Sequence, residues 1–459
     1  SNLSEINQYY EKNIPDADDG FVQFNKHIIE YMRGVYVLLL ISLLGYTGRV
    51  SGQESVTITQ CYEWARANYP QIHQMGLIDQ TERYSLSNVG KAWLPQLSVS
   101  GKASYQSDVT KLPLDGDKIS SLLPGFEIPS LSKDQYQVVA QVDQTIWDGG
   151  STRSARALTR AEAIANREQL ESELYALNDR VNQIYFGCLL QDELIRQNAL
   201  LQKELQVNIE RIEAMMENGV ANQSDLESME VELLNARQNE IELKASRTVY
   251  RQMLATFINK PLTDQVVLKT PESPERSLST QINRPELRAL DAKSEWIETQ
   301  NKQVTAGLMP RIGAFVQGGY GRPGLNMLED SFEPYYVAGV RLSWNLGKLY
   351  TLKNDRRKIE VSRRQIDVQR ETFLFNTRLQ LLQQNTEIKK MTDLMRADDD
   401  IIRLRTSIKQ AAEVKLENGV ISVTDLIREI NAEDMARQTA AAHRVQRLMT
   451  IYNYMYTTN

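Results

Sequence analysis

Residues of the types that do chemistry are few in this chain and stand apart. The three histidines, His27, His73 and His443, are scattered, and the two cysteines, Cys61 and Cys188, lie far from one another. Neither cysteine has a C-x-x-C or ligand spacing, so a metal site has no donor set to draw on. Both fall on helical patterns, where a thiol serves as a small packing group; a disulfide between them stays open. No Gly-rich phosphate loop and no nucleophile elbow occurs. Carboxylates abound, with 59 Asp and Glu, but at heptad-flanking positions they read as solvated helix faces. Asp398-Asp399-Asp400, flanked by Arg396 and Arg403, is taken as one such face. The expectation is a protein without catalytic residues, cofactor or metal. A net charge of -6 with interspersed signs and no Lys/Arg block argues against nucleic acid.

What remains is a stretch that is written twice. Glu217-Asn218-Gly219-Val220-Ala221-Asn222-Gln223-Ser224-Asp225-Leu226 returns 200 residues later as Glu417-Asn418-Gly419-Val420-Ile421-Ser422-Val423-Thr424-Asp425-Leu426. In each copy Asn-Gly ends one long helical pattern and a hydroxyl with Asp starts another, so each reads as the tip of a helical hairpin. A capping box is expected at Ser224-x-x-Glu227 in the first copy, and at Ser422-x-x-Asp425 or Thr424 alone in the second. Two matched tips predict two matched halves.

The elements that carry the tips follow from periodicity. From Ser151 to Met216 there is no proline and one glycine, Gly187, and Leu170, Leu174, Leu177, Val181, Ile184, Cys188 and Ile195 form a coiled-coil seam. Such a helix of ~66 residues would be roughly 100 Å long. Leu374, Leu381, Ile388, Met395 and Ile402 recur every seven residues in the second half. Shorter partner helices are expected at 224–258 and after the second tip. Strict alternation, apolar against polar, predicts four strands: Leu97 to Tyr105, Tyr136 to Ile146, Ile312 to Tyr320 and Tyr336 to Trp344. A long loop is expected over 107–134. Pro70 and Pro95 stand 25 residues apart, as do Pro285 and Pro310, which places the same helix-to-strand programme in both halves.

At the N-terminal side, Met32-Arg33 precedes an apolar run from Val35 to Leu44 and small residues up to Gly52. That is the layout of a secretory signal and is too short to span a bilayer. The expected division is therefore an upstream extension at 1–31, a signal at 32–52, a first repeat at 53–258, a linker at 259–283 with three prolines, and a second repeat at 284–459.

Four strands cannot close a barrel, which needs about eight, so other copies of the chain must complete the sheet. Strands of about ten residues with one apolar and one polar side are the pattern of an outer-membrane barrel. The order of elements, the doubled Gly-Val tip with Ser/Thr-Asp, the proline entry to each strand pair and the Trp-x-x-Gly exits at Trp147 and Trp344 together resemble the TolC family of outer-membrane efflux proteins. The likeness covers about Glu54 to Thr457.

The resemblance implies a mainly α fold: a long coiled-coil helical barrel, plus four strands contributed to a 12-stranded barrel by each member of a homotrimer. It implies a cell outer membrane of a Gram-negative bacterium, a long periplasmic extension, and a passive exit channel that exports small molecules. The implied partners are outer-membrane lipid, a periplasmic adaptor (membrane fusion) protein and an inner-membrane transporter. Type I protein secretion is the alternative within that class, and a periplasmic coiled-coil scaffold the alternative outside it. Gly219, Val220, Asn222, Gly419, Val420 and Ser422 are the implied adaptor contacts. Asp425 matches an acidic gate position of the family; a second acid is common nearby, four positions later in most members, whereas this chain has Arg428 three residues after Asp425. Asp425 is expected either to link to Arg428 across protomers or to cap its own helix.

Overall fold

The computed structural model describes residues 55–110, 131–273, 279–327 and 329–459. The expected extension, the signal and most of the 107–134 loop lie outside these. Val56–Thr263 with Leu268–Asn459 form one compact unit, and Asp264–Val267 belong to a second, smaller one.

Helix α1 (Ile58–Asn68) opens on a capping box, Thr57 with Gln60, and stops before Pro70. After a short 3-10 turn, α2 (Gln74–Gly90) leads through a second turn into β1 (Gln96–Tyr105). β2 (Asp134–Trp147) returns and feeds α3 (Ser151–Tyr175), α4 (Leu177–Glu217) and, past the first tip, α5 (Gln223–Ile258). In the second half α6 (Pro285–Ala306) precedes β3 (Arg311–Arg322) and β4 (Glu333–Ser343). The 69-residue α7 (Leu349–Glu417) runs unbroken to the second tip, and α8 (Val423–Thr458) follows.

The uninterrupted helix expected over 151–216 is interrupted once, at Ala176. That residue keeps right-handed helical angles, φ -61° and ψ -17°, so the break is a jog and not a stop. It falls where the neighbours change: α3 packs on α2 and α6, α4 on α1, α5 and α8. Beside the jog, Leu170, Leu174 and Leu177 form a buried cluster that takes in Tyr69, Ile72 and Phe257. Gly187, further along α4, has the Tyr250 ring where a Cβ would stand.

The four strands form one antiparallel sheet in the order β1-β2-β3-β4. Register sets Val99 opposite Ala140, Ala140 opposite Gly318 and Gly318 opposite Tyr336, so like faces stack. The two faces differ in an unusual sense. Gln137, Gln141 and Gln317 lie on the partly sheltered face. Val138, Val316, Tyr336 and Val340 stand bare on the other. A sheet in water normally buries its apolar side; here the apolar side is bare, and only the polar side of the two central strands is partly sheltered.

Candidate functional site

Four helices converge at the tips. Leu205, Ile209 and Ile212 of α4, Met229 and Leu233 of α5, Leu416 of α7, and Leu426 and Ile430 of α8 share one buried cluster. Ala221 and Ile421, one in each turn, pack against it, so the cluster holds both turns at one end of the bundle.

Each turn closes by the same two backbone bonds. Gly219 N–H donates to Met216 O and Val220 N–H to Met215 O, both at 2.9 Å. Gly419 N–H donates to Leu416 O and Val420 N–H to Lys415 O, again at 2.9 Å. This Schellman closure needs a left-handed residue, and φ is 71° at Gly219 and 65° at Gly419. Nothing lies within 4 Å of where a Cβ would sit on either, so backbone angle alone selects glycine. The next residue has no such duty: Val220 is 58% and Val420 69% exposed.

The caps correct one expectation and meet another. In the first tip α5 starts at Gln223, one residue earlier than expected, so its box is Asn222 with Asp225 and not Ser224 with Glu227. Asn222 Oδ1 accepts from Asp225 N–H and Asp225 Oδ2 from Asn222 N–H, both at 3.1 Å. In the second tip Ser422 Oγ accepts from Asp425 N–H at 3.2 Å and itself donates to Asp425 Oδ2 at 2.7 Å. Ser422 N–H donates to the same carboxylate at 3.1 Å. The side chains of Asn222 and Ser422 are thus engaged in capping.

Asp425 also faces Arg428, whose guanidinium is 3.3 Å from Oδ1 within the same chain. The hydroxyl and amide of Ser422, and then Arg428, hold its carboxyl below the ordinary range. Arg428 is exposed and touches Glu429 at 3.4 Å. Among the described residues no group of three or more His, Cys, Asp or Glu is placed to hold a metal.

A charged cluster beside the tips was not singled out from the sequence. Glu433 of α8 is 3% exposed, with Lys409 of α7 at 2.8 Å. Lys409 also pairs with Glu204 of α4, joining the two hairpins. Thr406 Oγ1 donates to Glu433 Oε1 at 2.6 Å, and Arg437 pairs with the same carboxylate. Burial alone would raise the Glu433 pKa, but bonds from Lys409, Thr406 and Arg437 outweigh it and hold the group at about 2. Asp434 next to it is pushed up to about 6, chiefly by burial, against a hydrogen bond from Gln438. The signal was present: Leu426, Ile430, Glu433, Arg437 and Ala440 step by fours and threes, so a carboxylate occupies the apolar stripe. Asp398 repeats the pattern between Met395 and Ile402. It is buried and bonded to His443 Nδ1 at 2.8 Å, which corrects its reading as part of a solvated face.

Residues 61–260 match the family model for outer membrane efflux proteins. The structure resembles the transmembrane channel CusC with a TM-score of 0.62 at 13% identity, over 88% of this chain and 92% of that one. The fold is that of an outer-membrane channel protomer. The outer membrane protein VceC of Vibrio cholerae aligns with a TM-score of 0.58 at 13% identity, covering 87% of this chain and 95% of its own. The open-state outer membrane channel MtrE of Neisseria gonorrhoeae gives 0.58 at 14%, with 87% and 88% covered. No curated protein sequence matches the chain. The segment that matches the efflux-protein model runs from within α1 to just past α5 and includes the whole first tip.

Proposed function

We propose that the protein is a passive exit channel in the outer membrane of a Gram-negative bacterium, working as the outer part of a tripartite efflux pump. One observation carries this reading: the antiparallel sheet bares its apolar face and both of its edges, while its glutamine face is partly sheltered on the two central strands. Free edges and bare valines are liabilities for a lone sheet in water. They suit a protomer that supplies four strands to a 12-stranded barrel closed by three copies, with lipid outside and water inside. Its two halves, 53–258 and 284–459 about the linker at 259–283, would then give the trimer a ring of paired tips.

At the other end of the helices, Gly219-Val220 and Gly419-Val420 would receive a periplasmic adaptor, the exposed valines supplying apolar contact. An inner-membrane transporter would load the duct through that adaptor. Asp425 and Arg428 would narrow the entrance, their pairing keeping the second tip in place.

Planar-bilayer recording of the purified chain tests this. Discrete channels are expected, with opening more frequent in Arg428→Ala, which removes the ion partner and leaves the Ser422–Asp425 cap. A folded trimer that conducts nothing, in wild type and variant alike, overturns the channel.

A further inference from the structure

We propose that the junction between sheet and helices is a collar for anionic phospholipid headgroups. It rests on the reading of the sheet as part of a membrane barrel and adds a partner to it. At one end of the sheet β1 and β3 begin and β2 and β4 finish. There α2 and α6 end, and α3 and α7 start. Over these helix ends the charge is unbalanced, in a chain whose net charge is -6.

α3 carries Arg153, Arg156 and Arg160 before its first acid, Glu162. α7 opens with Lys353, Arg356, Arg357 and Lys358 against Asp355 alone. All seven cations are exposed, and among the described residues none is paired with a carboxylate. Pairing resumes only further along α7, where Arg363 meets Glu298 at 2.7 Å and Arg364 meets Glu360 at 2.6 Å. Nowhere later in α7 do four cations in six residues stand unpaired together, so this cluster is open to another anionic partner.

A cleft of about 880 Å³ between the start of α3 and the end of α6 is lined by Arg153, Arg156, Arg160, Lys302 and Trp93. The acid on its wall, Asp148, is already occupied: its carboxylate accepts from Gly150 N–H at 2.9 Å and Thr152 N–H at 2.6 Å. The cleft therefore presents cations outward.

What lies next to these cations selects a lipid over a soluble anion. Going along β2 into α3, the chain passes exposed Ile146, then Trp147, then Arg153. Along β4 into α7 it passes exposed Leu342, then Trp344, then Lys353. Apolar strand, indole and cation follow the layering of hydrocarbon, interface and phosphate. The indole N–H of Trp344 donates to Leu308 O at 2.9 Å, which fixes one ring at that level. Cations at such a surface favour anionic over zwitterionic headgroups.

Three of the five tryptophans, Trp93, Trp147 and Trp344, stand at this level, so the protein carries its own probe. The purified full-length protein is placed in mixed phosphatidylcholine and phosphatidylglycerol vesicles in which one or the other lipid carries brominated acyl chains. We expect brominated phosphatidylglycerol to report an association constant about fivefold above that of brominated phosphatidylcholine at low salt. In 1 M salt the ratio should fall toward one.

Arg153→Gln/Arg156→Gln/Arg160→Gln should lose the preference, and the matching triple lysine variant should keep it. Equal quenching by both lipids in the wild type at low salt overturns the collar and leaves the barrel standing. Quenching by neither lipid overturns both. Loss of the preference in the lysine variant overturns the claim that positive charge at these positions carries it.

Discussion

The two hairpins share a frame and differ in what fills it. Both close with the same glycine turn and the same kind of cap. Counting 200 residues on from the first hairpin, Ile209 becomes Lys409, Met229 becomes Glu429 and Leu233 becomes Glu433. The first set is buried in the shared apolar cluster. In the second set Lys409 and Glu433 form an ion pair, and Glu429 meets Arg405 at 3.4 Å. A layer that is greasy in one hairpin is ionic in the other. Apolar packing gains little from rearranging, whereas an ion pair can exchange one partner for another or for water. The proposed gate at Asp425 and Arg428 would draw on this difference.

Removing one member of the ionic layer should have the largest effect. Glu433→Leu takes from Lys409 one of its two carboxylates, leaving it Glu204, and strips Thr406 and Arg437 of their shared acceptor; breaking a buried ionic contact in this way costs about 3 kcal/mol. Denaturant unfolding of the purified protein measures it. The comparison sharpens if Lys409→Ile is then added, so that the second hairpin carries the first one's residues. Replacing a whole buried pair by apolar groups is often neutral or stabilising, so the double variant should recover most of the loss and conduct less often in planar bilayers. A double variant as unstable as the single one would show that the two hairpins are not interchangeable at this layer.

At the turns the two hairpins should respond alike in stability. Gly219→Ala and Gly419→Ala each force a side chain into the left-handed region, at roughly 1–2 kcal/mol. Caps are smaller: Asn222→Ala and Ser422→Ala should each cost about 1 kcal/mol. Conductance should separate them, because only the Ser422 change frees a carboxylate that faces Arg428. Equal channel openings in the two cap variants would detach the gate from the cap.

Much of this was legible in the sequence, and the remainder was hidden for reasons that can be named. Alternation located all four strands because Leu97, Val138, Val316 and Val340 face outward at period two, whatever covers them. The heptads located the long helices, and the doubled tip gave both turns. The jog at Ala176 left no mark, since the residue is a good helix former and the interruption comes from a change of neighbours. The first cap was misplaced because Asn222 and Ser224 are both competent, and only the start of α5 decides between them. Glu433 was visible as a charge in an apolar stripe, but its bridge to Glu204 through Lys409 joins residues on different hairpins. No local pattern reports such a pairing, and which face of a helix meets its neighbour is settled only in three dimensions.

The effect that only a pH series reads lies with Asp434, which stands where the first hairpin has the exposed Leu234. Burial, helped by the charges of Glu204 and Glu433, pushes its pKa up to about 6, so the folded protein binds this proton more tightly than the unfolded chain. Stability from this group is therefore lowest at high pH and is gained as pH falls through about 6 toward 4. Glu433 has the opposite sign: its depressed pKa contributes above the ordinary glutamate range and is lost as pH falls from about 4.5 toward 2. Together they place an optimum near pH 4 for this end of the bundle. Asp434→Asn should flatten the rise between pH 8 and pH 5 and leave the acid limb unchanged, read as melting temperature against pH. If the variant keeps the full rise, the titrating group is elsewhere, and the ionic layer of the second hairpin is not what couples its stability to pH.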